Sequence, residues 1–294
     1  MPEHEGFIPE QGSIEGQERI VDNIWQPGIL DKYKDEVGAA ASTKMLKRTE
    51  EKALRILGDK QRFDKPMTDR IKAGRILAEL RNTIKPKVDL HHIIKTQLVN
   101  GGGVKKIDEG FVQDLVKGNL PNKQILETDG MITNLKDYPL YISAADCAPV
   151  GVYDPKNKAI GAFHNGAWGL LAQISENGIR AMTKEYGSDP QDLIVTIAPS
   201  ISQDGFEIDD YAMELARKKF GDDIEQFAKP GKTDGKYFFD ITGAIVHRLS
   251  LLGVKPENIE ISSYHTDTDN DLFPSERLEG RIDRDNYGFM IMLK

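Results

Sequence analysis

Two residues able to do chemistry lie close together in this sequence. Cys147 is the only cysteine in 294 residues, and His164 is one of six histidines. Each follows an apolar run, residues 140–145 and 159–163, so each is expected where a strand gives way to a loop. A rigid strand ending in an accessible loop is a common place for a reactive side chain. A thiol beside an imidazole is a candidate nucleophile, because the imidazole lowers the thiol pKa and carries its proton. Asp146 would not share a face with Cys147 in a continuing strand and is better placed to bond groups at the turn. Metal binding is the alternative chemistry. Thiolate and imidazole suit zinc, and a catalytic zinc takes three protein ligands. Cys147 and His164 supply two; His91, His92, His265 or Asn100 would have to supply the third, and spacing alone does not choose. The plainest reading is a buried, inert cysteine beside a satisfied core histidine.

Composition narrows the classes. Hydrophobic residues make up 39% and charged residues 29% of the chain, as in ordinary globular proteins. The net charge of −8 argues against a nucleic-acid partner, which calls for a basic face. A single cysteine cannot form an intramolecular disulfide. No stretch reaches the roughly 20 apolar residues of a membrane span. The first residues lack the basic start and apolar core of a signal peptide. These features predict a cytoplasmic protein with no membrane partner.

The elements that must position the two residues follow from periodicity. Residues 1–35 are polar, anchored by Ile20, Val21, Ile24 and Trp25, and read as an extended arm with one short element. Helical spacing begins near Ala41, with Ser42 or Thr43 as cap and Gly58 at the end. A second helix is predicted over residues 68–82. From Val88 the texture is that of strands. Residues 90–99 run into Asn100 and three glycines, which allow a close backbone approach or a turn. Beyond the histidine, helices are predicted over residues 170–186, 209–220 and 240–252, with strands over 193–198, 236–239, 258–264 and 287–293. The class is α+β, mixed sheets with flanking helices. The chain divides into an arm with packing helices, 1–84, and a main domain, 85–294.

Several motifs in order resemble one family. Ala145-Asp146-Cys147-Ala148-Pro149, followed by His164-Asn165-Gly166, is similar to the Ala-Asp-Cys-x-Pro and His-Ala-Gly-Trp-Arg-Gly pair of the laccase-domain, or YfiH-like, family, also called polyphenol-oxidase-like and described as purine nucleoside phosphorylases. The segments 128–133, 197–201, 206–208 and 236–240 resemble further motifs of that family. The resemblance spans residues 85–294 and implies the family's fold of mixed sheets with flanking helices. It implies a zinc-type Cys/His site, phosphorolysis of purine nucleosides, and adenosine deamination. The sequence departs from the pattern in places. Asn100 stands where the family has a zinc histidine, and Trp168 stands at its arginine. Near the C-terminus, His265 stands at a cysteine and Phe289 at an arginine. A zinc site would then use Cys147 and His164, with His265 or His92 as third ligand. Copper oxidase chemistry is not expected from six histidines.

Three functions follow. The first is a purine nucleoside phosphorylase with Cys147 and His164 catalytic, Asn100, Trp168 and Ser200 on the substrate, and phosphate as co-substrate. The second is a metal-free cysteine hydrolase using a Cys147–His164 dyad. The third is a ligand-binding paralogue that has lost catalysis, with Trp168 stacking on a flat ring.

Overall fold

The computed structural model describes residues 17–21, 24–43, 77–86, 88–117, 125–280 and 286–294. Two large sheets face each other. The first has seven strands in the order Arg19–Val21, Ile24–Gln26, Val37–Ser42, Tyr287–Leu293, Leu140–Ala144, Ile94–Gln97 and Ile125–Glu127. The second has six, in the order Ile259–Ile261, Ile194–Ile197, Ala148–Asp154, Ala159–Asn165, Gly130–Thr133 and Val104–Ile107. A small sheet, Glu207–Asp209, Lys236–Phe239 and Ala228–Pro230, lies to one side.

Alternation along the strands builds the layers. Met131, Tyr153, Ile160 and Ile194 of the six-stranded sheet pack against Trp25, Ile94, Ile142 and Phe289 of the seven-stranded one. Their neighbours Ile132, Val152, Phe163 and Val195 point the other way, onto the helices Ile174–Tyr186, Asp210–Phe220 and Ile241–Leu251. Met290 and Met292 cover the outer face of the seven-stranded sheet beneath Leu77, Leu80 and Ile84 of the helix at 77–84. Glycine makes two of these contacts possible. A Cβ on Gly151 would lie 2.7 Å from the Phe289 ring, and one on Gly178 would lie 2.2 Å from Phe163.

The helix ends behave as their residues dictate. Asp209 and Asp240 cap by accepting from Ala212 N and Gly243 N, and Gly187 ends its helix at φ +73°.

Several expectations change. Of the expected arm, the described residues form strands that extend the seven-stranded sheet through the pairing of Val37–Ser42 with Tyr287–Leu293, and residues 1–16 lie outside the described residues. Strands from both sides of residue 85 belong to this sheet. The apolar alanines 39–41 carry this strand to Ser42, where helical spacing was expected to begin. The predicted helix over 44–58 and the first part of the one over 68–82 lie outside the described residues. The strand expected over 90–99 begins with a 3-10 turn, Leu90–His92, and is regular only at Ile94–Gln97. The helix expected over 170–186 is two helices, Ala167–Leu171 and Ile174–Tyr186, broken where Gln173 adopts φ +59°.

Candidate functional site

Three connections pass from the seven-stranded sheet to the six-stranded one: between Gln97 and Val104, between Glu127 and Gly130, and between Ala144 and Ala148. They bring Asn100, Asp129 and Cys147 to one end of the molecule. The histidine strand supplies the fourth member. His164 pairs with Pro149, Phe163 pairs with Gly130, and the His164 amide donates to the Asp129 carbonyl at 2.8 Å.

Asp129 is wholly buried and organises this end. Its Oδ1 accepts from the Asn100 amide at 3.1 Å and its Oδ2 from the amides of Val99 and Gly101 at 3.2 and 2.8 Å. Its Oδ1 also lies 3.3 Å from His164 Nδ1. These bonds bend the 99–101 loop around the carboxylate and explain the φ of +56° at Asn100, a conformation Asn tolerates better than most residues. The His164 imidazole, held at Nδ1 by Asp129, also hydrogen-bonds Cys147. Burial works against a charged ring, but the Asp129 carboxylate and the Cys147 sulfur outweigh it, and the imidazole is pushed up to about 9. Burial likewise opposes the Asp129 charge, and His164 with the loop amides overcomes it, holding the carboxyl below the usual range.

Glycine seats the thiol. A Cβ on Gly166 would lie 2.8 Å from Cys147 Sγ. Gly102 allows the loop to approach the helices, since a Cβ there would lie 2.2 Å from the Ala172 carbonyl oxygen. Asp146 fixes the cysteine turn from the other side. It adopts φ +74°, its Oδ1 accepts from Thr266 Oγ1 at 2.6 Å, and its Oδ2 accepts from the Arg277 amide at 2.7 Å. Its carbonyl accepts from the Ile201 amide at 2.9 Å.

The other expected site residues divide. Asn100 stands beside the Asp129–His164 pair through its amide and is exposed. Trp168, two residues beyond Gly166, is 53% exposed on the short helix Ala167–Leu171. Ser200 and His265 are joined by a parallel bridge on the far side of Asp146. His92 stacks on Tyr138 at 4.5 Å and belongs to the opposite end of the strand Ile94–Gln97. His247 packs on Phe227 at 5.4 Å, and His4 lies outside the described residues. Asp129, the residue that orients His164, was missed as a site residue. Its signal was a carboxylate directly before the apolar strand that pairs with the histidine strand.

The donor set does not fit the expected metal. Among the described residues no three His, Cys, Asp or Glu side chains come together as a group able to hold a metal ion. Cys147, His164 and His265 are therefore not a formed ligand set. The neutral amide of Asn100 is a poor zinc or copper donor beside an imidazole. Two cleft-like surfaces lie elsewhere. One of about 590 Å³ is lined by Lys106, Asp108, Asn134 and Tyr186, and one of about 390 Å³ by Lys85, Asp89 and His92. Neither is lined by Cys147 or His164.

Comparison with known proteins places this arrangement in a class. A family model described as "Multi-copper polyphenol oxidoreductase laccase" matches residues 87–293, and the chain belongs to that family. A purine nucleoside phosphorylase of Bacteroides thetaiotaomicron is 36% identical over 152 residues, 52% of this chain and 56% of that protein. The chain thus spans little more than half the length of this relative. The purine nucleoside phosphorylase YlmD of Bacillus subtilis is 30% identical over 215 residues, 71% of this chain and 72% of that protein. In fold, the chain is similar to the YfiH protein of Bacillus licheniformis, with a TM-score of 0.76 at 20% identity over 94% of this chain and 99% of that one. YlmD from Geobacillus stearothermophilus gives 0.75 at 18% identity, over 95% and 99%. The mixed-sheet fold with flanking helices is therefore that of the YfiH-like laccase domain. No described helix is long and apolar enough to cross a membrane.

Proposed function

We propose that this chain cleaves the N-glycosidic bond of purine nucleosides with phosphate, using Cys147, His164 and Asp129 as its polar centre. The observation that carries the reading is the hydrogen-bonded order Asp129–His164–Cys147 at the convergence of three crossings. The names of the relatives supply the substrate class. In phosphorolysis a phosphate oxygen forms a bond to C1′ and the bond from C1′ to the purine nitrogen breaks. The electron pair stays on the base, which must take up a proton. An imidazole raised to about 9 is protonated at neutral pH and suits that donation. Asp129 keeps the ring oriented and balances its charge. Exposed Trp168 offers a flat face for the base, and Asn100 an amide for its edge. No step is assigned to a metal.

The test is release of hypoxanthine from inosine with phosphate, with ribose 1-phosphate as co-product. His164→Ala and Cys147→Ala are expected to lose most of this release. Equal, slow release by wild type and both variants sinks the reading.

One observation favours a second reading. Asp129 converts the expected Cys147–His164 dyad into a triad of the cysteine-hydrolase kind, in which thiolate attacks and imidazole carries the proton. Rapid alkylation of Cys147 by iodoacetamide near neutral pH, abolished by His164→Ala, together with turnover that needs no phosphate, selects this reading. Nucleoside binding without any turnover selects the lapsed, ligand-binding paralogue.

A further inference from the structure

We propose that Ser200 and His265 form the ribose-recognition side of the site, reading the vicinal hydroxyls of the nucleoside. This deepens the nucleoside reading above and rests on it.

The two residues are a bridged pair. Their bridge is isolated, beyond the ends of Ile194–Ile197 and Ile259–Ile261 and one residue out of register with the pairing of those strands. The Thr266 amide donates to the Ser200 carbonyl at 2.9 Å, which fixes their relative height. In a parallel pair, bridged residues project from the same face. Each is also one residue from a group that holds the cysteine turn. Ile201 donates its amide to the Asp146 carbonyl at 2.9 Å, and Thr266 donates its hydroxyl to the Asp146 carboxylate at 2.6 Å. Tyr287 spans the same ground. Its hydroxyl donates to the Pro199 carbonyl, and after burial the nearby Cys147 and Asp146 help push its own pKa well up. Ser200 and His265 thus each stand one residue from a group bonded to Asp146, the chain neighbour of Cys147.

The hydrogen-bonding capacity of His265 is unspent: its Nδ1 is enclosed and has no partner among the described residues. Ser200 beside it is buried, 2% exposed. Enclosed polar atoms carry a free-energy penalty until something bonds them, and a ligand is one way to supply the bond. A hydroxyl and an imidazole together offer both donors and acceptors, which is what a diol needs. The surrounding charge selects a neutral ligand over phosphate. Asp269 Oδ2 accepts the His265 amide at 2.7 Å, Asp267 accepts both the amide and the hydroxyl of Ser202, and Asp146 lies between the pair and Cys147. Three carboxylates repel an anion and leave a sugar hydroxyl unaffected.

The test is calorimetric titration of the full chain with inosine and with 2′,3′-dideoxyinosine, which lacks both hydroxyls. Wild type is expected to bind inosine about tenfold more tightly, the worth of one or two neutral hydrogen bonds. His265→Ala and Ser200→Ala should each lose most of that preference while still binding the dideoxynucleoside. His265→Gln, which restores a hydrogen-bonding side chain, should recover part of it. Retention of the full preference in both alanine variants overturns the proposal, as does equal binding of the two ligands by wild type, and either result leaves the nucleoside reading standing. Binding of neither ligand by wild type overturns both together. A thermal melt of each variant separates lost recognition from lost folding.

Discussion

Replacing Asp129 with Asn tests the centre of the site with the smallest change of shape. The carboxylate accepts four N–H groups, two on each oxygen. An amide has one oxygen and one NH2. With nitrogen at the Oδ2 position, the NH2 faces the amides of Val99 and Gly101. Turned over, it faces the Asn100 amide and the His164 Nδ1 proton. Either way two bonds to a charged acceptor are lost in a buried place. At about 1.5 kcal/mol each, the loss is about 3 kcal/mol, or roughly 5 °C in Tm for a chain of this size. The same change should lower the His164 pKa from about 9 towards the ordinary 6.5, because burial remains while the carboxylate charge is gone. The pH dependence has a definite sign. A histidine raised from 6.5 to about 9 contributes stability that is complete below 6.5 and is lost as pH rises through about 9. Asp129→Asn should reduce that alkaline loss. Calorimetry across pH 6–10 and NMR titration of the His164 ring measure both quantities. A variant that melts within about 1 °C of wild type, or a His164 pKa still near 9, refutes the account of Asp129 as the organising carboxylate.

Other perturbations follow from the same geometry. Asp146→Ala removes acceptors of the Thr266 hydroxyl and the Arg277 amide, at about 2–4 kcal/mol; Asp146→Gly should be about 1 kcal/mol less damaging, because φ is +74° there, and denaturant unfolding ranks the two. Gly102→Ala should cost about 1–3 kcal/mol, since the new methyl meets a backbone oxygen at 2.2 Å. By contrast, Gly103→Ala, with nothing nearer than 3.9 Å, should stay within about 0.5 kcal/mol by the same measurement. Glu18 accepts from Trp25 Nε1 at 2.6 Å, Ser262 Oγ at 2.9 Å and the Ser263 amide at 2.6 Å, so Glu18→Ala should loosen the N-terminal strands from the six-stranded sheet's edge and speed proteolytic cleavage ahead of residue 24. Unchanged cleavage would show that strand pairing and the Arg19–Asp31 ion pair hold this segment without Glu18.

The sequence by itself determined the family and the fold, through motifs in family order. It also put Cys147 and His164 at the ends of apolar runs, where the structure has strand ends. Helix ends with Asp caps and glycine stops were legible for the same reason: they depend on neighbours within a turn. The last strand was legible because both faces of Tyr287–Leu293 are buried and every residue from Phe289 to Leu293 is apolar. The tertiary structure decided what depends on distant partners. The alanines 39–41 become a strand only because the final strand lies beside them. Asp129 becomes the residue that orients His164 only because two sheets exchange chain three times at one end. Whether His265 could join Cys147 and His164 was also undecidable from spacing. The fold instead places it beside Ser200 through an isolated parallel bridge beyond the ends of the paired strands Ile194–Ile197 and Ile259–Ile261. Local propensity acts over a few residues, and a distant partner can override it, as at alanines 39–41. The buried hydrogen bonds of Asp129 join residues 28 to 35 positions apart, and the pairing of the last strand joins residues at opposite ends of the chain; only the packed chain brings those together.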